Sequence, residues 1–310
     1  MRITSSSAKT NSLFAQFREL YSYRKLIWVL TNRNLRIRYK GSALGIIWSL
    51  ILPVVQVAVL TVVFNFILHT GVRDFSAYML CAFLPWIFFN ASVLDASSSV
   101  LSQLDLLKKV YIPREIFPIA TILANLIHFG AALAIFLVYR YVLTTVMFIH
   151  HTPQGWITGW PGPPPASILM FPFVLLDLVA FTLGLSFYLA AVTTFYEDVK
   201  YIVQAVLSIM FYALPIVYFT ENIFYSPEGT NPFRSEVYHI YLLEPMAWIV
   251  SAFKEMFFGR QVLLMRGNHP IYTAPLDFRY FLITTATSFI VLIIGYGHFN
   301  KVKWEFNERP

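Results

Sequence analysis

The chain has 310 residues, of which 57% are hydrophobic and only 13% charged, with 23 basic and 16 acidic side chains and a net charge of +7. Soluble domains carry about 25% charged residues, so this chain has too little polar surface to cover itself in water. A single cysteine, Cys81, excludes an internal disulfide and any multi-cysteine metal site.

The opening stretch, residues 1–25, is polar and basic without a continuous apolar core, so it does not read as a cleaved signal peptide. Within it Leu13, Phe17 and Leu20, and then Tyr23, Leu26, Ile27 and Leu30, recur at helical spacing, interleaved with Arg18, Arg24, Lys25 and Arg33. That is the pattern of a basic amphipathic helix lying in a membrane surface. Residues 1–42 are therefore expected to form a cytoplasmic arm.

A bilayer core demands roughly 20 apolar residues of helix. Six segments meet that test, at 43–68, 78–101, 117–139, 167–195, 201–219 and 280–299. They are continuously apolar rather than alternating, and an open sheet cannot satisfy its backbone in lipid, so strands are not expected to span. The fold class is all-α and integral to the membrane: six spans within residues 43–300, the interface helix before them, and a tail at 301–310.

With the N-terminus inside, the inner segments hold sixteen of the 23 basic residues, which obeys the positive-inside bias and puts both termini in the cytoplasm. Two stretches between spans stand apart. Residues 150–165, HHTPQGWITGWPGPPP, are too rich in Pro, Gly and Trp for regular helix, so an external loop at 140–166 is expected, touching the headgroups. Residues 242–258 are apolar but too short to cross, which suits a re-entrant hairpin buried by protein.

Specific residues carry a family resemblance. From Arg33 the chain reads RNLRIRYKGSALGIIWSLILP, ending at Pro53. Further on come Leu84-Pro85-Trp86 with Phe88-Phe89, the loop Leu107-Lys108-Lys109-Val110-Tyr111-Ile112-Pro113-Arg114-Glu115, Phe195-Tyr196-Glu197-Asp198, Leu214-Pro215-Ile216-Val217-Tyr218 and Glu244-Pro245-Met246. In this order, over residues 33–258, they resemble the permease subunits of type-2 ABC exporters for polysaccharides and polyol phosphates, the group that handles O-antigens, capsules and teichoic acids. The chain departs from that pattern at Asn34, where Asp is usual, at Glu197, which reverses a charge, at Leu214 in place of Ser, and at Glu244 in place of Asn.

The resemblance implies a half-transporter in the bacterial inner membrane. It would pair with a second copy of itself and with two copies of a separate ABC ATPase that holds ATP and Mg, and would move a lipid-linked glycan among membrane lipids. No nucleic acid or cofactor is implied for this chain, and it has no G-x-x-x-x-G-K-[ST] to cradle a phosphate. The energy is then expected from a partner. A type-2 exporter of a drug or small lipid would share the topology and stays open as an alternative.

Residue roles follow from the same likeness. Lys108, Lys109 and Arg114 would form a substrate gate at the cytoplasmic mouth, each cation attracting lipid phosphate by about 1 kcal/mol; the positive-inside bias accounts for any one of them equally well. Tyr23, Arg24, Arg33, Arg36, Arg38, Tyr39 and Lys40, with Glu197 and Asp198 in the turn before span five, would receive the ATPase. A plain membrane anchor and a solvated cap are the alternatives. Trp86, Phe88, Phe89, Tyr212 and Tyr218 would stack on sugar faces along the glycan path, or belong to the interfacial belt.

Asp95 and Asp177 fall inside spans, where a carboxylate costs about 2.5–3.5 kcal/mol. Both must therefore face protein or water, and a helix–helix hydrogen bond outranks a proton relay. Pro53, Pro85 and Pro215 are candidate kinks. Enzyme readings are weak. His69 with Asp74 has an acyltransferase spacing that chance readily supplies, adjacent His150 and His151 need not converge on a metal, and the loops show no carboxylate cluster for a nucleotide sugar.

Overall fold

The computed structural model describes residues 13–41, 47–67, 75–107, 109, 112–149, 166–216, 218, 234–259, 262–266, 269–272 and 277–307. His69, Asp74, Lys108, His150 and His151 lie outside them, as does the loop at 150–165.

The arm is two helices, α1 (Leu13–Ser22) and α2 (Arg24–Tyr39). There follow α3 (Ile47–Thr61), which runs on as π-helix over Val62–Ile67, and α4 (Phe75–Ser97). Next come the short α5 (Leu104–Leu107), the long α6 (Ile116–Ile149), α7 (Phe171–Phe195) behind a turn of 3-10 helix, and α8 (Val199–Ala213). A pair, α9 (Arg234–Leu242) and α10 (Pro245–Phe258), precedes the last long helix, α11 (Phe278–Val302).

Among the described residues, four helical stretches, Phe75–Ser97, Ile116–Val142, Ala166–Phe195 and Phe278–Val302, are long and apolar enough to cross a membrane, and Val54–Phe64 and Val199–Ala213 are shorter apolar helices. The shortness of α8 has a local cause. Proline disfavours helical backbone in the residue before it; Leu214 ahead of Pro215 is extended at φ −81°, ψ 154°, so the helix expected to reach 219 ends at Ala213. Pro215 therefore stops a helix instead of kinking one, whereas Pro85 sits inside α4. In α6 nothing breaks the pattern at 139, and the helix continues ten residues into the stretch expected as loop.

Strands do occur in the segment before α11. Val262–Arg266 pairs antiparallel with His269–Tyr272 in a small hairpin, with an irregularity between Val262 and Leu264. The pairing is local and leaves the helical architecture unchanged.

The bundle has two ends, fixed by contacts. At one, α2 crosses the start of α6, and the end of α11 and the tail after it pack on the end of α7 through Phe187 with Phe299 and Phe195 with Phe306. The arm's apolar residues Leu20, Tyr23, Leu26, Ile27 and Leu30 pack into this cluster, so the face expected to rest on lipid is partly spent on protein. Trp28 and Val29 remain exposed. At the other end α10 is wrapped on all sides: Met246, Ala247, Ile249, Val250, Ala252, Phe253 and Met256 are fully buried. The region expected as a hairpin within 242–258 is instead one helix, α10, with α9 preceding it across a short turn. The turn between them suits the residues, since Glu244 accepts from the Ala247 amide at 2.5 Å and caps α10, with Pro245 at the first helical position.

Candidate functional site

The arm end is stitched by polar groups from separate elements. Thr31 Oγ1 shares its proton between the carbonyls of Ile27 (2.8 Å) and Ala120 (3.3 Å), holding α2 against α6. Asn34 Nδ2 donates to Thr121 Oγ1, and Arg33 Nη1 to Gln103 Oε1, both at 3.3 Å. Arg38 Nη2 donates to Asp95 Oδ2 at 2.5 Å, and Asn125 Nδ2 donates to the same oxygen at 3.2 Å. Asp95 is thereby the junction of α2, α4 and α6, and its cost near the membrane is offset by a cation and an amide.

A second cluster joins the loop before α6 to the C-terminal tail. Lys303 Nζ lies 2.5 Å from Glu115 Oε1, with side chains 14% and 5% exposed. The Arg114 guanidinium is buried and stacks over Trp304 at 5.7 Å and Phe306 at 5.6 Å. Packed under the tail in this way, Arg114 fastens the loop and does not present its charge at the surface. Lys109 is exposed.

Among the residues expected to receive an ATPase, Arg24, Arg36 and Lys40 are exposed along α2, and Glu197 and Asp198 are exposed in the turn after α7. Tyr39 closes α2, and Tyr23 is half-buried in the tail cluster. Arg33 and Arg38 instead engage α4, α6 and the turn between them. Asp198 makes no side-chain cap to α8: its backbone is already helical, at φ −67° and ψ −19°, whereas a capping side chain needs an extended one, and its carbonyl accepts from Tyr201 instead.

The five aromatics divide. Trp86, Phe88 and Phe89 are at most 3% exposed. Their rings pack on Phe211 (6.0 Å), Phe129 (5.5 Å) and Phe181 (5.6 Å) respectively. They are core within this chain, because α4 is apolar all round and enclosed by α6, α7, α8 and α10. Tyr212 is 72% exposed. Tyr218 is half-buried, its hydroxyl 2.7 Å from that of Tyr241, and both reach the Ala213 carbonyl.

Asp177 is buried between α7 and α11 and accepts from Thr285 Oγ1 at 2.8 Å, a helix–helix hydrogen bond. The same two helices touch backbone to backbone: a methyl group added at Gly184 would lie 2.5 Å from the Leu292 nitrogen, and one at Gly295 would overlap the Gly184 carbonyl. Small residues permit such approach inside membranes.

Sequence reasoning missed Lys254. It is 2% exposed, its Nζ donates to the Pro215 carbonyl at 2.6 Å, and it sits 4.8 Å from the Tyr78 ring. A cation inside an otherwise apolar run was the available signal, as was Asn125 inside α6. The bond ties α10 to the segment that ends α8.

No protein-family model matches the chain. It is 30% identical over 246 residues to the O-antigen export system permease protein RfbA of Myxococcus xanthus, covering 79% of this chain and 85% of that protein. Two proteins of the same name from Klebsiella pneumoniae are 24% identical over 284 and 283 residues, 91% of this chain and 94% of each. Likeness of that extent, on a bundle of membrane-length apolar helices, makes this chain a member of the family of O-antigen export permeases, the transmembrane subunits of type-2 ABC exporters.

Proposed function

We propose that the chain is the transmembrane subunit of an ATP-driven exporter that moves a lipid-linked O-antigen-type polysaccharide from the cytoplasm across the inner membrane. The observation that carries this reading is the identity to named O-antigen export permeases over most of the chain. In this reading the helices cross six times, with α3 and α8 as the shorter crossings and α9–α10 as a re-entrant pair in the outer half. The arm end faces the cytoplasm with both termini. Its polar and basic surface suits that side.

A second copy of the chain completes the passage, with Tyr212 and Tyr218 as the aromatics left to meet sugar. Two ATPase subunits, holding ATP and Mg, dock on Arg24, Arg36, Tyr39 and Lys40 of α2 and on Glu197 and Asp198. Lys108 and Lys109 draw the lipid phosphate to the mouth, while Arg114 fixes the loop that carries them. ATP-driven closure of the partner pushes on α2, and the Arg38–Asp95 and Thr31–Ala120 contacts pass that push to α4 and α6.

The test is reconstitution in cells lacking their own O-antigen permease. The chain together with an ABC ATPase of an O-antigen export system is expected to restore surface polysaccharide, and replacing both Lys108 and Lys109 by Gln is expected to lower export several-fold with the protein still in the membrane. Intracellular accumulation of lipid-linked glycan despite a folded, ATPase-bound chain would sink the reading.

A further inference from the structure

Between α2, the end of α4 and α6 lies a cavity of about 310 Å³. Leu30, Phe117 and Ala124 give it an apolar side, and Arg33, Asp95 and Asn125 face them with the hydroxyls of Ser99 and Ser102. Two buried polar atoms on this wall have no hydrogen-bond partner among the described residues. Asn125 is 2% exposed; its amide nitrogen is used on Asp95, but its Oδ1 accepts nothing. Arg33 spends Nη1 on Gln103, and its buried Nε donates to nothing. A lone buried donor and a lone buried acceptor are each costly, and together they specify an occupant that accepts at one point and donates at another.

Charge narrows the class. Among the described residues lining the cavity, Arg33 and Arg38 share one carboxylate, Asp95, which is already paired with Arg38, so among them the positive charge of Arg33 is left without a counter-charge. The planar fork of a guanidinium matches the several oxygens of a phosphate, and Asn125 Oδ1 calls for a hydroxyl proton beside it. We infer that this cavity binds a lipid-borne phosphate ester carrying a hydroxylated group, the phosphate on Arg33 and a hydroxyl on Asn125. Exposed Ile37 stands on the α2 side of the same cavity, which suits a ligand arriving from the bilayer. Two lipids share that chemistry: the sugar-phosphate end of a lipid-linked glycan, which rests on the function proposed above, and phosphatidylglycerol of the bilayer, which does not.

The experiment is equilibrium binding to the full chain in phosphatidylcholine nanodiscs with its ATPase, using three probes: phosphatidylglycerol, a short-chain polyprenyl diphospho-hexose, and inorganic phosphate. Saturable binding of a lipid probe is expected, weakened at least tenfold by Arg33→Gln and by Asn125→Leu. Ala124→Phe fills the cavity without removing a polar group and is expected to weaken binding equally, so it decides the matter should Asn125→Leu fail to fold. Exposed Tyr21→Ser serves as the control and is expected to bind as the wild type does.

Tighter binding of the hexose probe identifies cargo, and tighter binding of phosphatidylglycerol identifies a bilayer lipid; either supports the site. Binding of neither lipid, unaltered binding in Ala124→Phe, or loss in Arg33→Gln with none in Asn125→Leu overturns it, leaving a cavity that holds water or a plain anion. The same variants are assayed for export in cells: absent binding with intact export sinks this inference alone, whereas absent export of the glycan by the wild type sinks the function it was linked to.

Discussion

At the arm end, elements far apart in the chain meet through ion pairs, Arg38 with Asp95 and Glu115 with Lys303, added to ring contacts such as Phe195 with Phe306, whereas at the far end they meet chiefly through rings packed around α10. The cations there, Lys254 and Arg140, lie over aromatic faces, 4.8 Å from Tyr78 and 4.7 Å from Phe258. The difference is mechanical. A half-exposed ion pair exchanges its partner for water or a docking protein at little cost, but interlocked rings lose contacts with any small displacement. On the function proposed above, a push on α2 would be redirected through the exchangeable Arg38–Asp95 pair, and the α10 region would follow as a block.

Substitutions at three contacts probe that contrast, in falling order of effect. Lys303→Met keeps the aliphatic stem but strands Glu115, and breaking a buried pair costs about 3–5 kcal/mol; chemical unfolding in detergent measures it. The double variant with Glu115→Gln is expected to recover most of the loss, and no recovery would mean that packing, not charge, holds the tail. Lys254→Met removes the bond to the Pro215 carbonyl and is expected to cost about 1.5–3 kcal/mol, the usual size for a bond to a charged group. If the far end behaves as a block, this loss appears in the same unfolding transition as the rest and not as an earlier one.

The smallest effect belongs to Arg38 and Asp95. Their side chains are 33% and 41% exposed, so a double-mutant cycle with Arg38→Gln and Asp95→Asn is expected to give a coupling of about 1 kcal/mol or less, fading in high salt. A coupling as large as that of Glu115 with Lys303 would erase the distinction between exchangeable and fixed contacts.

Helix identity was legible wherever hydrocarbon-length apolar runs occur, as in 167–195 and 280–299 against the observed α7 and α11. Boundaries failed where one residue decided them: Pro215 cut α8 short, and the lack of any breaker carried α6 past 139. Burial of Trp86, Phe88 and Phe89 was not legible because α4 is apolar on every face, so its pattern points to no side. The polar site was half legible. Arg33, Arg38 and Asp95 stood out as charges beside or within apolar runs, but their meeting spans 57 residues of chain for Arg38 and Asp95, and 188 separate Glu115 from Lys303. Periodicity speaks only of near neighbours, so such pairings emerge only once the chain is folded.

The contact of Gly184 with Gly295 sets a limit on how this protein can work. Two helices whose main chains abut have no side-chain cushion between them, so neither can rotate or slide past the other without steric overlap. They behave as a single strut. Work delivered to the tail at Phe306 or to the turn at Glu197 is then conveyed along the full depth of the bilayer with no slack, and the joints that permit a transport stroke must lie elsewhere in the bundle.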